Sequence, residues 1–351
     1  MKLKYGFKKG NFGKIGIEEE FQIIDSYTKD LAPYALKLLE NLKSNNYSDE
    51  IFLSMIELKT DVCTTVQEAE NQLIDLRKKL KETANTYGLD IVGAGTHPFA
   101  DWRKQKMNPK PRYIKQMKEN NGLNQLEVTY GLHIHLGVDD ADQAIKVFNM
   151  VRKIIPHLIA ISANSPFWES KSNYMSSRMF ILDSVPQYGF PKKFLNWEDY
   201  YQTLLELSKK FKSIRSSGDV FWDLRIRPEL GTVEIRCLDS QNDVRMSASI
   251  AALLVAYVNY GIEYEVKEEK IHKIRLAAIT HGINDARRNG IRNETIALLN
   301  LVKDVSKKMN IDSYIDYLES RIKEKSTPAE IQLKEFLKNK DFKSVVEVLK
   351  I

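Results

Sequence analysis

Residues 15–24, which read IGIEEEFQII, constrain the fold more than any other stretch of this 351-residue chain. Apolar side chains recur at every second position, as in Ile15, Ile17 and Phe21, and Glu18 and Glu20 alternate with them. Successive side chains of a β-strand point to opposite faces, so the pattern predicts a strand with one apolar and one acidic face. Because glutamate has poor strand propensity, two on one face indicate either a solvated sheet surface or a cation site.

Four further stretches, at residues 51–59, 126–138, 222–227 and 232–237, alternate in the same way and are predicted to be strands. Their polar faces carry the pairs Glu57/Lys59, His133/His135, Arg225/Arg227 and Glu234/Arg236. Paired in one antiparallel sheet, the five strands would bury their apolar faces under helices and form a single polar surface. Lys, Thr and Ser usually cover a merely solvated face, so this concentration of Glu, His and Arg favours a binding site.

Helical periodicity predicts helices at residues 33–42, 65–87, 141–163, 197–212 and 271–289, and an almost wholly helical chain from residue 244 onward. Thr65 and Glu68 form a capping-box pattern at the start of the second helix. Residues 101–122 and 164–194 show no clean period. Connections of this length are usually functional or mobile, so we expect these two to be lids over the site.

Composition and charge exclude several classes of protein. Hydrophobic residues make up 43% of the chain and charged residues 28%, as is ordinary for a soluble globular protein. The net charge of +6 comes from scattered basic residues, so we expect no nucleic-acid partner, whereas a positive balance suits anionic small substrates such as nucleotides. Only two cysteines and no signal-peptide pattern predict a cytoplasmic location. No apolar stretch is long enough to cross a membrane, and a homo-oligomer is left open.

The residue types on the polar faces point to phosphoryl transfer. Magnesium prefers oxygen ligands from carboxylates, phosphates and water, and an imidazole ligand suits Mg²⁺ or, more comfortably, Mn²⁺. Arginine stabilises charge that develops on a transferring phosphoryl group. The chain has no P-loop and no kinase signature, so a nucleotide would be bound in another way.

Six short motifs occur in an order that resembles one known family. They are GIEEEF at 16–21, ELKT at 57–60, GTHP at 95–98, GLHIHLGV at 131–138, SANSPFW at 162–168 and GTVEIR at 231–236. Together, over about residues 14–290, they resemble the glutamate–cysteine ligase type 2 family of carboxylate–amine ligases. The resemblance implies an α+β fold like the catalytic domain of glutamine synthetase. In that fold an antiparallel sheet of about six strands has a concave polar face and helices on the other side. We therefore expect one catalytic domain over 1–351, with 244–351 mainly helical.

The resemblance also implies a reaction and its residues. A substrate carboxylate attacks the γ-phosphate of ATP, and an amine then displaces phosphate from the acyl phosphate to leave an amide. ATP and Mg²⁺, with Mn²⁺ as an alternative, are the implied cofactors, and glutamate and cysteine are the default substrates. The matched motifs imply Glu18, Glu20, Glu57, His133 and Glu234 as metal ligands, and Arg236 as the residue that binds the γ-phosphate, with Arg236 and Glu57 as catalytic residues. Outside these motifs, Arg178 could bind a substrate carboxylate through both guanidinium nitrogens or be a surface arginine, and Arg225 and Arg227 could bind the nucleotide or the substrate.

Several residues and functions stay open. His135 is expected either to support the site or to be structural, His97 to be structural, and Cys63 and Cys237 to be core residues. Trp168, Trp222, Tyr257 and Tyr260 are expected to pack in the core rather than to bind adenine. His281 stands where family members often have arginine, which weakens any transfer of substrate identity. A guanidino kinase and a non-catalytic nucleotide-binding protein of the same fold are the competing hypotheses.

Overall fold

A computed structural model describes residues 7–262, 264–284 and 290–351. Its strands are β1 (Ile15–Asp25), β2 (Tyr47–Asp49), β3 (Met55–Lys59), β4 (Leu89–Val92), β5 (Gly131–Gly137), β6 (Tyr188–Gly189), β7 (Phe221–Trp222), β8 (Leu224–Arg227) and β9 (Thr232–Asp239). Its helices are α1 (Ala35–Leu42), α2 (Val66–Asn85), α3 (Pro111–Glu119), α4 (Ala141–Ser162), α5 (Ser177–Leu182), α6 (Trp197–Lys210), α7 (Val244–Asn259), α8 (Glu268–His281), α9 (Gly290–Lys308), α10 (Asp312–Lys323), α11 (Pro328–Asn339) and α12 (Phe342–Glu347). The helix predicted at 271–289 ends earlier, at His281, and residues 285–289 lie outside the described residues.

Seven of the strands form one antiparallel sheet in the order β2-β3-β1-β5-β9-β8, with β4 also paired to β1. The predicted α+β architecture with a sheet of about six strands is therefore confirmed, with one strand more than expected. The first strand of the chain lies near the middle of the sheet, between β3 and β5. Its polar side chains consequently have neighbours on both sides.

One face of the sheet is covered by helices and forms the core. Ile17, Ile134 and Ile235, on three adjacent strands, are fully buried there, and α2, α4 and α7 pack against the sheet. Burial of each such side chain contributes about 1.5–3 kcal/mol. The N-terminus of α2 is capped as the sequence suggests, because the Thr65 side chain accepts a hydrogen bond from the Glu68 amide. Within the described residues, no helix is both apolar and long enough to traverse a bilayer.

The core face of β1 also carries a charged residue. Glu19 alternates with Glu18 and Glu20, so it points away from them, and its side chain is fully buried. The guanidinium of Arg77, from α2, binds both of its carboxylate oxygens, at 2.8 and 2.5 Å. The three consecutive glutamates therefore serve two faces of the sheet, and a buried ion pair accommodates the middle one.

Three of the sequence predictions need correction. Residues 101–122, predicted to be irregular, contain α3, which begins at Pro111, a residue type favoured in the first turn of a helix. Residues 164–194 contain α5 and the short strand β6. The strand predicted at 51–59 begins only at Met55, because the preceding residues form turns and an isolated bridge to Met107. Tertiary contacts determine the structure of these segments, and local periodicity does not encode such contacts.

Candidate active site

The exposed face of the sheet brings together the polar pairs of five strands. In the backbone register, Glu18 lies opposite His133 and Glu20 opposite Glu57. On the other side of β5, His135 lies opposite Glu234. Side chains that are directly opposite on one face of a sheet have their Cβ atoms about 4.5–5.5 Å apart, so these acidic and imidazole groups form one continuous surface.

A cleft of about 690 Å³ lies over this surface. Its floor is formed by the polar faces of β1, β3, β5, β8 and β9. Arg112 and Lys115 of α3 line one wall, and residues 213–221, with Arg215, line another. The cleft thus places carboxylates on its floor and cationic groups around them, which is the charge distribution that a polyanion with bound divalent cations requires.

Two groups of three side chains offer donor atoms close enough together to hold a metal ion. Glu18, Glu57 and His133 form the first group, and Glu18, His135 and Glu234 form the second; within each group the donor atoms lie within 4.8 Å of one another. Nδ1 of His133 is 3.6 Å from a Glu18 oxygen, and Nε2 of His135 is 3.4 Å from the other. Both Nε2 atoms are buried and lack a hydrogen-bond partner within the described residues. Carboxylate oxygens with one imidazole suit Mg²⁺ or Mn²⁺.

The carboxylates of Glu57, in the first group, and of the nearby Glu50 are buried and crowded by other acidic groups. Burial, reinforced by Glu18 and Glu50, raises the pKa of Glu57 well above its usual range. Burial and the nearby Glu20 raise the pKa of Glu50 to about 7. Crowded carboxylates are disfavoured in their charged form, and a bound cation removes that repulsion. The residues therefore fit a divalent cation.

The carboxylate of Glu234 has a different environment, because three arginines surround it. Arg225 binds it through two nitrogens, at 2.7 and 3.0 Å, and Nη1 of Arg236 and of Arg227 lie at 2.6 and 3.2 Å. Burial alone would raise the pKa of Glu234, but Arg225 and Arg236, with His135, hold it well below its usual range. Glu229 also binds Arg227, but two carboxylates cannot neutralise three guanidinium groups, so this end of the cleft keeps a positive charge and suits phosphate.

The two histidines on β5 have opposite electrostatic environments. Burial, with the positive charge of Arg236, lowers the pKa of His133. Burial would also lower the pKa of His135, but the carboxylates of Glu18 and Glu234 outweigh it and raise the pKa. A neutral imidazole is the form that binds a metal, and the lowered pKa of His133 favours that form.

Two of the predicted site residues lie beside the donor groups rather than in them. Glu20 accepts a hydrogen bond of 2.5 Å from the Gly131 amide, and one of its oxygens is 4.0 Å from Nε2 of His133. Arg178 is only 3% exposed and lies deeper, where one of its nitrogens donates to the Arg236 carbonyl. Gly131 makes room for it, since a Cβ at that position would stand 2.4 Å from the Arg178 guanidinium.

The structure adds three residues that the sequence did not single out. Glu50, Glu127 and Tyr188 line a smaller cavity of about 100 Å³ that opens from the cleft beside Glu20 and Arg236. Burial raises the pKa of Glu127 to about 7 and, together with Glu127, raises that of Tyr188 well above its usual range. Glu50 and Tyr188 come from segments with no repeating pattern, so no local signal identified them. Glu127 falls in the stretch predicted to be a strand at 126–138, but β5 begins only at Gly131, after it.

The residues expected to be structural mostly are. Cys63 and Cys237 are buried and free, and Tyr257 is fully buried. His97 is buried between the Lys29 carbonyl, which its Nε2 contacts at 2.9 Å, and the Ala100 amide, which donates to its Nδ1 at 3.0 Å. Trp222 stacks on Phe194, and Trp168 stacks on Trp102. Tyr260 differs from the expectation, because it is half exposed at the end of α7, and His281 is the last residue of α8.

Comparison with known proteins identifies relatives over nearly the whole chain. The model of a family described as glutamate–cysteine ligase family 2 matches residues 14–333. A protein named "Putative glutamate–cysteine ligase 2-2", from Legionella pneumophila, is 34% identical over 327 residues, which cover 89% of this chain and 84% of the relative. A similarly named protein from Bdellovibrio bacteriovorus is 31% identical over 363 residues, which cover 98% of this chain and 95% of the relative.

Two solved structures share the fold. A glutamate–cysteine ligase from Francisella tularensis in complex with AMP superposes with a TM-score of 0.74 at 13% identity, over 98% of this chain and 89% of that one. A bifunctional glutathione synthetase from Pasteurella multocida superposes with a TM-score of 0.69 at 13% identity, over 97% of this chain and 51% of that one. With the family match over residues 14–333, the chain belongs to glutamate–cysteine ligase family 2, a family of ATP-dependent ligase enzymes.

Proposed function

We propose that this protein joins a carboxylate to an amine at the expense of ATP, through an acyl phosphate, with the γ-carboxylate of glutamate as the acid and cysteine as the default amine. The observation that carries the proposal is one cleft that holds the donor group of Glu18, Glu57 and His133 beside the arginines that surround Glu234. A carboxylate is a poor electrophile. A site that pairs cation ligands with phosphate-binding arginines is suited to its activation by phosphorylation.

The side chains on the floor of the cleft would divide the binding of ATP between them. Glu18, Glu57 and His133 would hold one Mg²⁺, with Mn²⁺ as an alternative, and Glu234 with His135 would complete a second position around Glu18. Glu20 remains a proposed ligand beside the first group. When bound, the ion would screen the repulsion between the attacking carboxylate and the triphosphate.

Arginines would orient the γ-phosphate. Arg236 binds Glu234 and also lines the smaller cavity. Its guanidinium can therefore contact the phosphoryl group while that group moves from ATP to the substrate carboxylate. Arg225 and Arg227 are held by Glu234 and would contact the phosphates farther along β8. Arginine binds phosphate bidentately with little loss of side-chain freedom, which suits positioning for in-line transfer.

The proposed reaction has two balanced steps. A carboxylate oxygen of the acid forms a bond to the γ-phosphorus, the bond from that phosphorus to the β,γ-bridging oxygen breaks, and ADP leaves with the electron pair. The amine nitrogen then attacks the acyl carbon, the bond from carbon to the phosphate oxygen breaks, and phosphate leaves as the nitrogen loses a proton. Residues 101–122, with α3, and residues 164–194 border the cavities and would exclude water from the acyl phosphate.

The organisation of the chain around this activity is also part of the proposal. One catalytic domain would extend over residues 1–351, because the largest buried cluster draws its residues from β1 through α10. We further propose that the protein acts on small-molecule substrates in the cytoplasm. No helix among the described residues is long and apolar enough to span a membrane.

An ADP-release assay with an amide readout tests the proposal. Amino acids are paired with amines in the presence of ATP and Mg²⁺, and products are identified by mass. We expect ADP release only when both an acid and an amine are present, with an amide as product. Glu57→Gln should lower this turnover at least about 100-fold. The matched control Glu70→Gln, a buried glutamate on α2 that binds Arg245 and Tyr314 outside the cleft, should retain it.

Two outcomes would assign a different activity. Formation of ATP from ADP and a phosphagen, without any amide, would make the protein a guanidino kinase. Nucleotide binding without ADP release across the whole panel would make it a non-catalytic member of the fold.

A further inference from the structure

The motif SANSPFW, at residues 162–168, takes no part in the reaction proposed above. Of the described residues that line the cleft and the smaller cavity, none belongs to this motif. Asn164 and Ser165 are nevertheless fully buried. Polar side chains are rarely buried without hydrogen-bond partners, so the partners of these two residues indicate what the motif does.

Asn164 uses all of its hydrogen-bonding groups inside the protein. Its side-chain nitrogen donates to the carbonyls of Gly93 and Ser240, at 3.0 and 2.8 Å, and its backbone amide donates to the Asp239 carboxylate at 2.8 Å. Its side-chain oxygen and its carbonyl both accept hydrogen bonds from the side-chain nitrogen of Gln332, at 2.7 and 2.9 Å. A buried polar network in which every group is paired is rigid, so Asn164 fixes the motif to the ends of β4 and β9 and to α11.

Ser165 extends this network to Arg178. The Ser165 hydroxyl donates to the Asp239 carboxylate at 2.7 Å and accepts from the backbone amide of Arg178 at 3.2 Å. Ser176, which precedes α5, donates to the other oxygen of Asp239 at 3.0 Å. The opposite charges of Asp239 and Arg178 also attract each other. The backbone position of Arg178 therefore depends on Ser165 and Asp239.

The C-terminal helices also pack against the motif. The ring of Phe167 lies 5.2 Å from that of Phe336, on α11, and 5.3 Å from that of Phe342, on α12, measured between ring centroids. The Ala329 amide donates to the Ala163 carbonyl at 3.0 Å. Both apolar packing and hydrogen bonds thus attach α11 to the segment that holds Arg178.

Arg178 connects this network to the site. Its guanidinium lines the smaller cavity with Glu20 and Arg236, and one of its nitrogens donates to the Arg236 carbonyl at 3.2 Å. Arg236 is the proposed ligand of the γ-phosphate. A displacement of about 1 Å that is caused by a remote substitution can lower turnover about 100-fold. A shift of Arg178 would therefore reach the groups that orient the phosphate.

We propose that Gln332 is a positioning residue, which sets the place of Arg178 in the site through the SANSPFW motif. This inference rests on the proposed function, because it adds a residue that the reaction needs. Gln332 is only 1% exposed and is not among the described residues that line the cleft or the smaller cavity. It acts on the reaction by holding Asn164 and, through Ser165, the start of α5 in place.

A double-mutant cycle in the full chain tests whether Gln332 acts through Arg178. Gln332→Met keeps the length of the side chain and removes both hydrogen bonds to Asn164. It should lower kcat/KM about 10- to 100-fold, for glutamate and cysteine or for the pair of substrates that the ADP-release assay identifies. In an Arg178→Gln background the same substitution should lower it less than about 2-fold. An equal factor in both backgrounds would indicate a general structural role and would overturn the proposal.

A second variant keeps the test independent of how well Gln332→Met folds. Ser165→Ala removes the hydroxyl that accepts from the Arg178 amide, and it should give the same loss with the same dependence on Arg178. The matched control is Tyr314→Phe, which removes two hydrogen bonds between another C-terminal helix, α10, and α2. The control should lower stability without changing kcat/KM. A loss of kcat/KM in the control as large as that in Gln332→Met would overturn the proposal.

Hydrogen exchange of backbone N–H groups separates this proposal from the proposed function, because it needs neither substrate nor turnover. In Gln332→Met, the N–H groups of Asn164 and Arg178 should exchange about 10-fold faster, and those of β1 should be unchanged. That result, in a protein that joins no acid to any amine, would support the positioning role and refute the ligase. Turnover at the unmodified rate in Gln332→Met, with unchanged exchange at Arg178, would support the ligase and refute the positioning role.

Discussion

The buried ion pair between Glu19 and Arg77 allows a prediction that does not depend on knowing the substrates. Glu19 is fully buried in the middle of the sheet, and besides Arg77 it accepts a hydrogen bond of 2.6 Å from the Ser247 hydroxyl. The Arg77 guanidinium also donates to the carbonyls of Asn242 and Gln241, at 2.8 and 3.0 Å. The pair therefore ties β1 and α2 to the segment between β9 and α7.

Removal of one partner should destabilise the protein far more than removal of both. Glu19→Leu leaves the guanidinium of Arg77 buried without its counter-charge, and breaking such a pair costs about 3–5 kcal/mol. Two backbone carbonyls still accept hydrogen bonds from Arg77, so we expect the free energy of unfolding to fall by an amount near the lower end of this range, about 3 kcal/mol. The double variant Glu19→Leu/Arg77→Met removes both charges and should recover at least about 2 kcal/mol of that loss.

Urea unfolding followed by circular dichroism measures these differences, provided that the slope with denaturant stays constant across the variants. The control is Glu40→Gln, which breaks the exposed pair between Lys37 and Glu40 on α1 and should leave the unfolding midpoint unchanged. A fall of less than about 1 kcal/mol in the unfolding free energy of Glu19→Leu would show that the buried pair does not hold these elements together. A double variant no more stable than the single one would show the same.

Two further predictions follow from the buried titratable groups. Glu57→Gln should raise the melting temperature of the metal-free protein, because it removes one of the crowded carboxylates beside Glu18 and Glu50. The same variant should lose the further rise in melting temperature that Mg²⁺ produces in the unmodified protein. Thermal scans with and without Mg²⁺ measure both effects, and an unchanged response to Mg²⁺ would show that Glu57 is not a metal ligand. Burial lowers the pKa of His97 to about 4, below an unfolded value of about 6.5, so the unfolded chain binds the extra proton first and stability should fall as pH falls from about 6.5 to about 4. The full loss is about 3 kcal/mol, and His97→Gln should flatten that part of the stability–pH curve; a curve that keeps the unmodified slope would show that His97 is protonated in the folded protein.

Local patterns in the sequence were sufficient for most of the fold. The two-residue alternation around Glu18, His133 and Glu234 predicted strands with one acidic or basic face, and those strands form one sheet. The alternation is readable because the direction of a side chain in a strand depends only on its position in the pleat. The same argument places Glu19 on the core face, but its partner Arg77 lies 58 positions away, and no local rule connects the two.

The candidate site was predicted less completely. Glu18, Glu57 and His133 come together as donor atoms, as the shared polar surface implies. Glu50 and the depth of Arg178 could not be inferred, since these residues reach the cavity from segments without a strand pattern. Glu127 lies in the predicted strand 126–138 but precedes β5 in the structure, so its place in the cavity could not be inferred either. Whether Glu234 is mainly a metal ligand or the carboxylate that holds three arginines also depends on the spacing between β8 and β9, which the sequence does not specify.

The sequence alone determined which side chains share a face within each strand and helix, and therefore the kind of chemistry that each face can support. Only the tertiary structure decided that β1 lies between β3 and β5, that Glu20 faces Glu57, and that the buried guanidinium of Arg178 lines the same cavity as Glu127. The reason is physical. Side-chain direction follows from backbone geometry over a few residues, whereas the partners of a strand or loop are chosen by burial and charge pairing between segments far apart in the chain.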